Sequence, residues 1–397
     1  MKNYIYVGIL LGLLSGCGST SENDNKLSSS MLETEIRGYY PTQKELSYSH
    51  ILPANKDNWC TVLKNAPSQS TVLLEDGVYN SHCAIKNKSY ITIKAENKYG
   101  VTYEGDNFFL TLEDKNHHIN LLGIEATTST DTFNSGLLKT HGYADYQNHH
   151  IYVADCWIHH SGSGILTGPK NHDITVDNCL IHDIKMGYYW YAMGWHLTMS
   201  NCVVYHPENN GIAIRGHFPI NRFWTFEEAQ TADVTQEEGL ENIPKDAWTH
   251  HIVGNFFGEG YGRNAARSWE RGSAIAFYIG RGNHDGDDAY LAPQNVLIED
   301  NTFYDITPSI APDGALFAGA ITIDAELGFS RANGDAIGGL ITGTVLQNNI
   351  SNVKLVKSFW EKLDLNLLTQ INNTSLDTQL LKEQFYERIH ALKHKAY

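Results

Sequence analysis

The chain is short of positive charge: 29 Lys and Arg stand against 45 Asp and Glu in 397 residues, a formal charge of −16. A partner held by its phosphate backbone needs clustered cations, so this balance excludes nucleic acid as a partner class. It also speaks against a highly anionic ligand unless basic side chains gather at one place. Cysteine is scarce, with six residues and no CxxC spacing, which argues against a thiolate metal site. The N-terminal apolar run in "MKNYIYVGILLGLLSGC" is too short to span a bilayer and has the form of an export signal. The stretch after it, "GSTSENDNKLSSS", lacks the apolar content needed to fold and reads as a flexible tether.

What the sequence does have is a repeat. "NHHIYVADCWIHH" from Asn148, "NHDITVDNCLIHD" from Asn171 and "WHLTMSNCVVYHP" from Trp195 place Cys156, Cys179 and Cys202 at intervals of 23 residues. Within each copy the apolar residues alternate (Ile151 and Val153, Ile174 and Val176, Leu197 and Met199), the signature of a strand with one buried face. Weaker copies start at Tyr90, Asn116, Thr249, Asn295 and Thr344. A period of 23 is too short for a strand, a helix and two loops, but it suits one turn of a parallel β-helix. Coils about 4.8 Å apart then line equivalent residues into columns. The cysteines share a column with Asn255, Asn301 and Asn349, whose amides can hydrogen-bond from coil to coil. The three thiols are therefore read as stacked in the interior.

With this pattern the chain resembles the right-handed parallel β-helix proteins, a pectate-lyase-like group rich in polysaccharide lyases and glycoside hydrolases, over roughly residues 55 to 355. "DNWCTVLKNAPSQSTVLLEDGVYN" is similar to their opening, a short capping helix, a strand and a Gly-Val-Tyr turn. A cap is needed because an open coil end exposes unpaired strand edges. Leu14-Ser15-Gly16-Cys17 resembles the lipobox of bacterial lipoproteins, which implies lipidation at Cys17 and an outer-membrane lipoprotein facing the periplasm or the surface. The expected organisation is a signal peptide at 1–17, a tether at 18–45, a single-stranded all-β helix domain at 46–360 and a helical segment at 361–397. That last segment has Leu380, Leu381, Phe385, Ile389 and Leu392 at helical spacing after a Ser/Thr start. Export permits disulfides, and Cys60 and Cys83 are the candidate pair. The expected state is a monomer.

Long coils carry loops, and loops on a solenoid gather on its binding face. Residues 218–248, "GEGYGRNAARSWERG" from Gly258 and "RGNHDGDDAYLAP" from Arg281 are the candidate walls of one cleft. Aligning the second strand of each coil gives an outward column of Gly168, Tyr191, Arg215, Tyr278 and Asp324, with His217 two residues from Arg215. Arg215, Tyr191, His217 and Tyr278 are the catalytic candidates. An Arg stabilises the enolate-like charge that forms when a proton leaves the carbon beside a sugar carboxylate, and a Tyr phenolate or His moves that proton. Tyr189, Arg267, Arg281, Asp324, Trp224 and Trp269 are the candidate substrate contacts, the aromatics for stacking on sugar rings.

"GIAIRGH" and "HIVGNFFGEG" also resemble a stretch of the chondroitinase B and alginate lyase family, which would make Arg215 the counterpart of its catalytic Arg. The chain departs from that family where its Lys base belongs: this position falls at Ala192 to Gly194, Lys185 lies off register, and "IKMGYYWYAMG" lacks acidic calcium ligands. No metal or cofactor is assigned. Ca2+ is the ion that Asp285, Asp287 and Asp288 would suit, but without EF-hand spacing they read as a solvated acidic turn. His117-His118, His149-His150, His172, His196 and His250-His251 are read as a turn position repeated with the coil, with a transition-metal site as the alternative. The expected function is cleavage of a uronic-acid-containing polysaccharide by β-elimination. The alternatives are a glycoside hydrolase using Asp324 with Glu259 or Glu270, whose carboxylates would stand roughly 5 to 9.5 Å apart, and a non-catalytic glycan binder.

Overall fold

In the computed structural model the described residues are 47–128, 134–140, 148–168, 171–184, 188–192, 195–207, 210–215, 250–260, 273–279, 296–306, 309–310, 316–317, 319–325, 343–358 and 365–394. All belong to the compact unit Tyr39–Tyr397. The chain winds through three parallel sheets in turn. Sheet A has eleven strands among the described residues, from His50–Ala54 through His117–Leu122, His149–Ala154, His172–Asp177, Trp195–Ser200 and His250–Val253 to Thr369–Ile371. Sheet B has ten, from Gly77–Tyr79 to Thr374–Ser375, and sheet C nine, from Cys83–Lys86 to Val356–Ser358. Each strand pairs with its counterpart one coil away, as Ile151 does with Ile174 and Ile174 with Leu197. This is a right-handed parallel β-helix, the hand that parallel crossovers almost always take.

The alternation produces the core. Ile119, Ile151, Ile174 and Leu197 form one fully buried column, and Leu121, Val153, Val176 and Met199 form the next. β-branched and Leu side chains suit such a face because each packs between its copies above and below.

The corner from sheet A to sheet B is the most uniform part of the fold. From Ala154 onward two residues separate the strands every time. The first takes a left-handed conformation (Asp155 φ 54°, Asn178 51°, Asn201 54°, Gly254 64°, Asp300 54°, Asn348 54°, Asn372 51°), and Asn, Asp and Gly are the residues that tolerate it. The second is the cysteine or asparagine of the repeat. Cys156, Cys179 and Cys202 are free and fully buried. The backbone amide of Cys202 donates to Asn255 Oδ1 at 2.9 Å. The side-chain amides then donate upward, Asn255 to Asn301 at 3.0 Å, Asn301 to Asn349 at 3.1 Å and Asn349 to Asn373 at 3.0 Å. A second ladder stands at the corner from sheet C to sheet A, where Asn116 donates to Asn148 at 2.9 Å and Asn148 to Asn171 at 2.8 Å.

Two helices close the described fold. α1, Trp59–Asn65, plugs the first coil: Trp59 stacks on Phe109 with centroids 4.3 Å apart and donates to Ser81 at 2.8 Å. Cys60 and Cys83 are disulfide-bonded, with sulfurs 2.11 Å apart, tying α1 to the first strand of sheet C. α2, Thr378–His394, lies on sheet B, where Leu381, Phe385, Ile389 and Leu392 are buried against Leu180, Val203 and Tyr304. Two expectations are corrected at this end. Strands Thr369–Ile371 and Thr374–Ser375 extend the coils past residue 360, and Leu380 is exposed instead of packed. The cap of α2 is Asp377, whose Oδ1 accepts from Gln379 at 2.8 Å and Leu380 at 3.4 Å.

Candidate functional site

A two-residue corner leaves no room for loops, so the corner between sheets A and B cannot build a site. The corner between sheets C and A has the chain length for one: residues 216–249, outside the described ones, join Asn210–Arg215 of sheet C to His250–Val253 of sheet A. The sheet A strands His117–Leu122, His149–Ala154 and His172–Asp177 begin at that corner with a polar pair, and Trp195–Ser200 begins with Trp195-His196. The first members form a register column of His117, His149, His172 and Trp195. Their neighbours His118, His150, Asp173 and His196 are all left-handed, with φ between 47° and 55°. That conformation explains why His and Asp recur in the second column.

The rings stack. His117 and His149 lie 5.0 Å apart at 5°, His149 and His172 4.9 Å at 2°, and His118 and His150 4.5 Å at 11°. Within a coil, the Nδ1 atoms of His117 and His118 are 3.0 Å apart, and those of His149 and His150 2.8 Å. In the next coil a carboxylate replaces the second imidazole, and His172 Nδ1 lies 2.8 Å from Asp173 Oδ2. Asp173 is fully buried, with His150 Nδ1 at 3.7 Å from Oδ2 and His196 Nδ1 at 3.4 Å from Oδ1.

Burial lowers His118 to about 4 and His149 to about 3, with neighbouring imidazoles adding to the shift. His150 is lowered by the same burial although Asp173 opposes it. Burial alone would raise the Asp173 carboxyl, but the imidazoles of His172 and His196 outweigh it and hold the group well below the usual carboxylate range. The corner therefore holds a buried anion, Asp173, near two imidazoles, His118 and His149, that stay neutral near pH 7.

The predicted catalytic column is partly in register. Arg215 pairs with Tyr278 and Tyr278 with Asp324, on consecutive strands at the exit of sheet C that leads into this corner. Tyr191 does not join them. It pairs with Leu166 on one side and Ala213 on the other, two residues earlier along the strand than expected. Tyr189 lies between the Tyr188–Asn210 and Trp190–Ile212 pairs. His217, Trp224, Arg267, Trp269 and Arg281 lie outside the described residues, as do Cys17, Glu270, Asp285, Asp287 and Asp288. His250 and His251 stand two residues beyond the histidine columns. His250 faces the core column of Leu197 and Val296, and His251 Nε2 contacts Glu299 at 2.7 Å.

Glu259 is not placed to partner Asp324. It follows Phe256–Gly258 at the end of sheet B, before the chain enters sheet C, whereas Asp324 sits near the exit of that sheet. It is also engaged, accepting from Tyr386 at 2.9 Å and lying 3.4 Å from His206. A strand of several residues at about 3.3 Å each separates entrance from exit, more than the roughly 9.5 Å an inverting pair spans.

A second imidazole ladder, which the sequence reading did not single out, runs along the end of sheet B. His159 Nε2 meets Glu125 at 2.8 Å, and His182 Nδ1 meets Asp183 at 2.7 Å while Nε2 accepts from Trp157 at 2.8 Å. His182 stacks between His159 at 5.2 Å and Tyr205 at 4.5 Å. The signal was in the repeat: each quoted stretch also carries a pair at or near its end, His159-His160, His182-Asp183 or Tyr205-His206.

No family model and no curated protein matches the chain. Solved structures of similar form include an alginate lyase from Paenibacillus sp. str. FPU-7, at 10% identity over 83% of this chain and 99% of that one, TM-score 0.45. Another is the catalytic unit of a GH87 α-1,3-glucanase from Streptomyces thermodiastaticus strain HF3-3, at 14% identity over 87% and 70%, TM-score 0.43. A third is the A-module of a mannuronan C-5 epimerase from Azotobacter vinelandii, at 11% identity over 87% and 96%, TM-score 0.42. The likeness is one of coil stacking and assigns no residue.

Proposed function

We propose that the chain degrades a uronic-acid-containing polysaccharide by β-elimination, at the corner where sheet C hands over to sheet A. The observation that carries the reading is the placement of Arg215, Tyr278 and Asp324 on paired positions of three consecutive strands, at the exit leading to that corner. In this reading Arg215 neutralises the substrate carboxylate and the charge that grows on it as the neighbouring C–H bond breaks. A Tyr phenolate or imidazole takes the proton, the electron pair forms the C=C bond, and the glycosidic C–O bond opens as its oxygen is protonated. The separation of Glu259 and Asp324 counts against that pair for the hydrolytic alternative, and its other pair, Asp324 with Glu270, involves a residue outside the described ones.

A glycan panel read for both ultraviolet absorbance and new reducing ends tests the reading. Elimination gives both, hydrolysis gives reducing ends alone, and a binder gives neither. On the substrate so found, Arg215→Ala should lower turnover by about 100-fold or more with a smaller change in affinity. Arg215→Lys should rescue little, because a point charge cannot replace a planar bidentate donor. Near-parental turnover of a folded Arg215→Ala protein would place the chemistry elsewhere on the helix.

A further inference from the structure

We propose that His118, His149 and His150 form a binding site for a divalent transition-metal ion of the zinc class, with Asp173 as the buried counter-charge behind it. One ring nitrogen from each of the three histidines lies within 4.8 Å of the other two. Ligands on one tetrahedral ion at about 2.0–2.1 Å stand roughly 3.3 Å apart, so the set closes when the stacked rings of His118 and His150 turn toward a common point. His149 and His150 already bring their Nδ1 atoms to 2.8 Å. Two imidazole nitrogens at that distance must share either a proton or a cation.

The sheet B ladder shows what a purely structural stack looks like. There too an imidazole pair meets, His159 and His160 with Nδ1 atoms 2.8 Å apart, but its His159 also has Glu125, His182 has Asp183, and His206 lies between Asp183 and Glu259. In the sheet A ladder, among the described residues, Asp173 is the carboxylate within ion-pair distance and serves His150, His172 and His196, while His117–His118 and His149–His150 meet as imidazole pairs. A cation at His118, His149 and His150 balances that excess of lone pairs. The left-handed backbone explains His at 118 and 150, but not at 149, whose φ is not left-handed. The donors are nitrogens, which suit Zn2+, Ni2+ or Cu2+ and not Ca2+, a cation of oxygen ligands. Asp173 Oδ2 lies 3.7 Å from His150 Nδ1, close enough for its charge to offset that of an ion held there.

The test uses chelator-treated full-length protein carrying His390→Gln, because His390 and His394 form an i, i+4 pair on α2, with rings 4.3 Å apart, that would itself bind metal. Titration with Zn2+, Ca2+ and Co2+ is followed by calorimetry, melting temperature and the visible Co2+ spectrum. The expected result is one Zn2+ per chain, a raised melting temperature, a tetrahedral Co2+ band and no response of these readouts to Ca2+. His118→Gln and His149→Gln, each checked for fold by circular dichroism, should weaken Zn2+ by on the order of 100-fold. His159→Gln, in the other ladder, should leave binding unchanged. Absence of a Zn2+ site in the His390→Gln protein overturns the proposal. Unchanged affinity in a folded His118→Gln protein overturns it too, and that variant remains informative if His149→Gln fails to fold.

Discussion

The two imidazole ladders arise from the two ends of the same repeated segment, yet they have different fates. At the end of sheet B, carboxylates of the same or an adjacent coil meet the rings, and α2 covers the row: Phe385 packs against Tyr205, and Tyr386 donates to Glu259. At the start of sheet A a single fully buried carboxylate, Asp173, stands beside His172, while His117–His118 and His149–His150 meet as imidazole pairs. A coil repeat thus supplies equal chemistry at both corners. The surroundings decide which row becomes mortar and which stays available to a ligand.

The largest expected effect contrasts the two aspartates. Asp173 is fully buried, while the side chain of Asp183 keeps 35% of its exposure. Asp173→Asn should destabilise by roughly 3–5 kcal/mol, since it removes the anion from a buried cluster. Asp183→Asn should cost less than about 1 kcal/mol, because solvent already screens that pair. Urea midpoints of the two variants measure the difference, and equal losses would erase the distinction between the corners.

Next in size is the response to pH. His118, His149 and His182 have folded values lowered from 6.5 to about 4, 3 and 4, with burial the leading cause in each. The unfolded chain therefore takes up these protons first, and stability falls as pH drops from about 6.5 toward 3–4. Asp173 acts lower down: its depressed carboxyl contributes stability above the unfolded aspartate value of about 3.9, lost as pH falls through the folded value. A His118→Gln, His149→Gln double variant should flatten the melting temperature between pH 6.5 and 4 more than His182→Gln does. A steeper profile in the double variant would mean these rings are protonated in the fold.

The smallest effect belongs to the cover. Tyr386→Phe removes exposed hydrogen bonds to Glu259, at 2.9 and 3.1 Å, and should cost less than about 1 kcal/mol. Hydrogen exchange should quicken in α2 and leave the strands of sheet A unchanged. If sheet A loosens as well, the two ladders are coupled through the coil.

Much of this architecture was legible because stacking writes itself into the sequence. The 23-residue interval and the strict alternation placed Ile151, Ile174 and Leu197 in one column, and the cysteine-to-asparagine succession named the ladder from Cys202 to Asn349. The error at Tyr191 has a physical origin. Aligning Gly187 on Gly164 slips the strand by two residues, and a two-residue slip keeps every side chain on its own face. Alternation cannot detect it; only the pairing of Trp190 with Ile165 and Ile212 does. The coils beyond residue 360 were missed because "TQI" and "TS" carry no apolar alternation and are held by the ladder through Asn373. The histidine pairs were visible, but not that Asp173 lies buried among them, since burial depends on three coils at once.

The asparagine rows have unequal reach, and this bears on how such a molecule can be elaborated. The row at the corner between sheets A and B continues unbroken from Cys202 to Asn373, through tight two-residue bends. An added segment there would sever a chain of hydrogen bonds and open the barrel wall. Among the described residues the row at the corner between sheets C and A ends at Asn171, and two coils later residues 216–249, outside the described ones, join a strand of sheet C to a strand of sheet A. The molecule thus has a welded edge and an open seam. New sequence, and with it new specificity, can accumulate along the seam without disturbing the stack that holds it up.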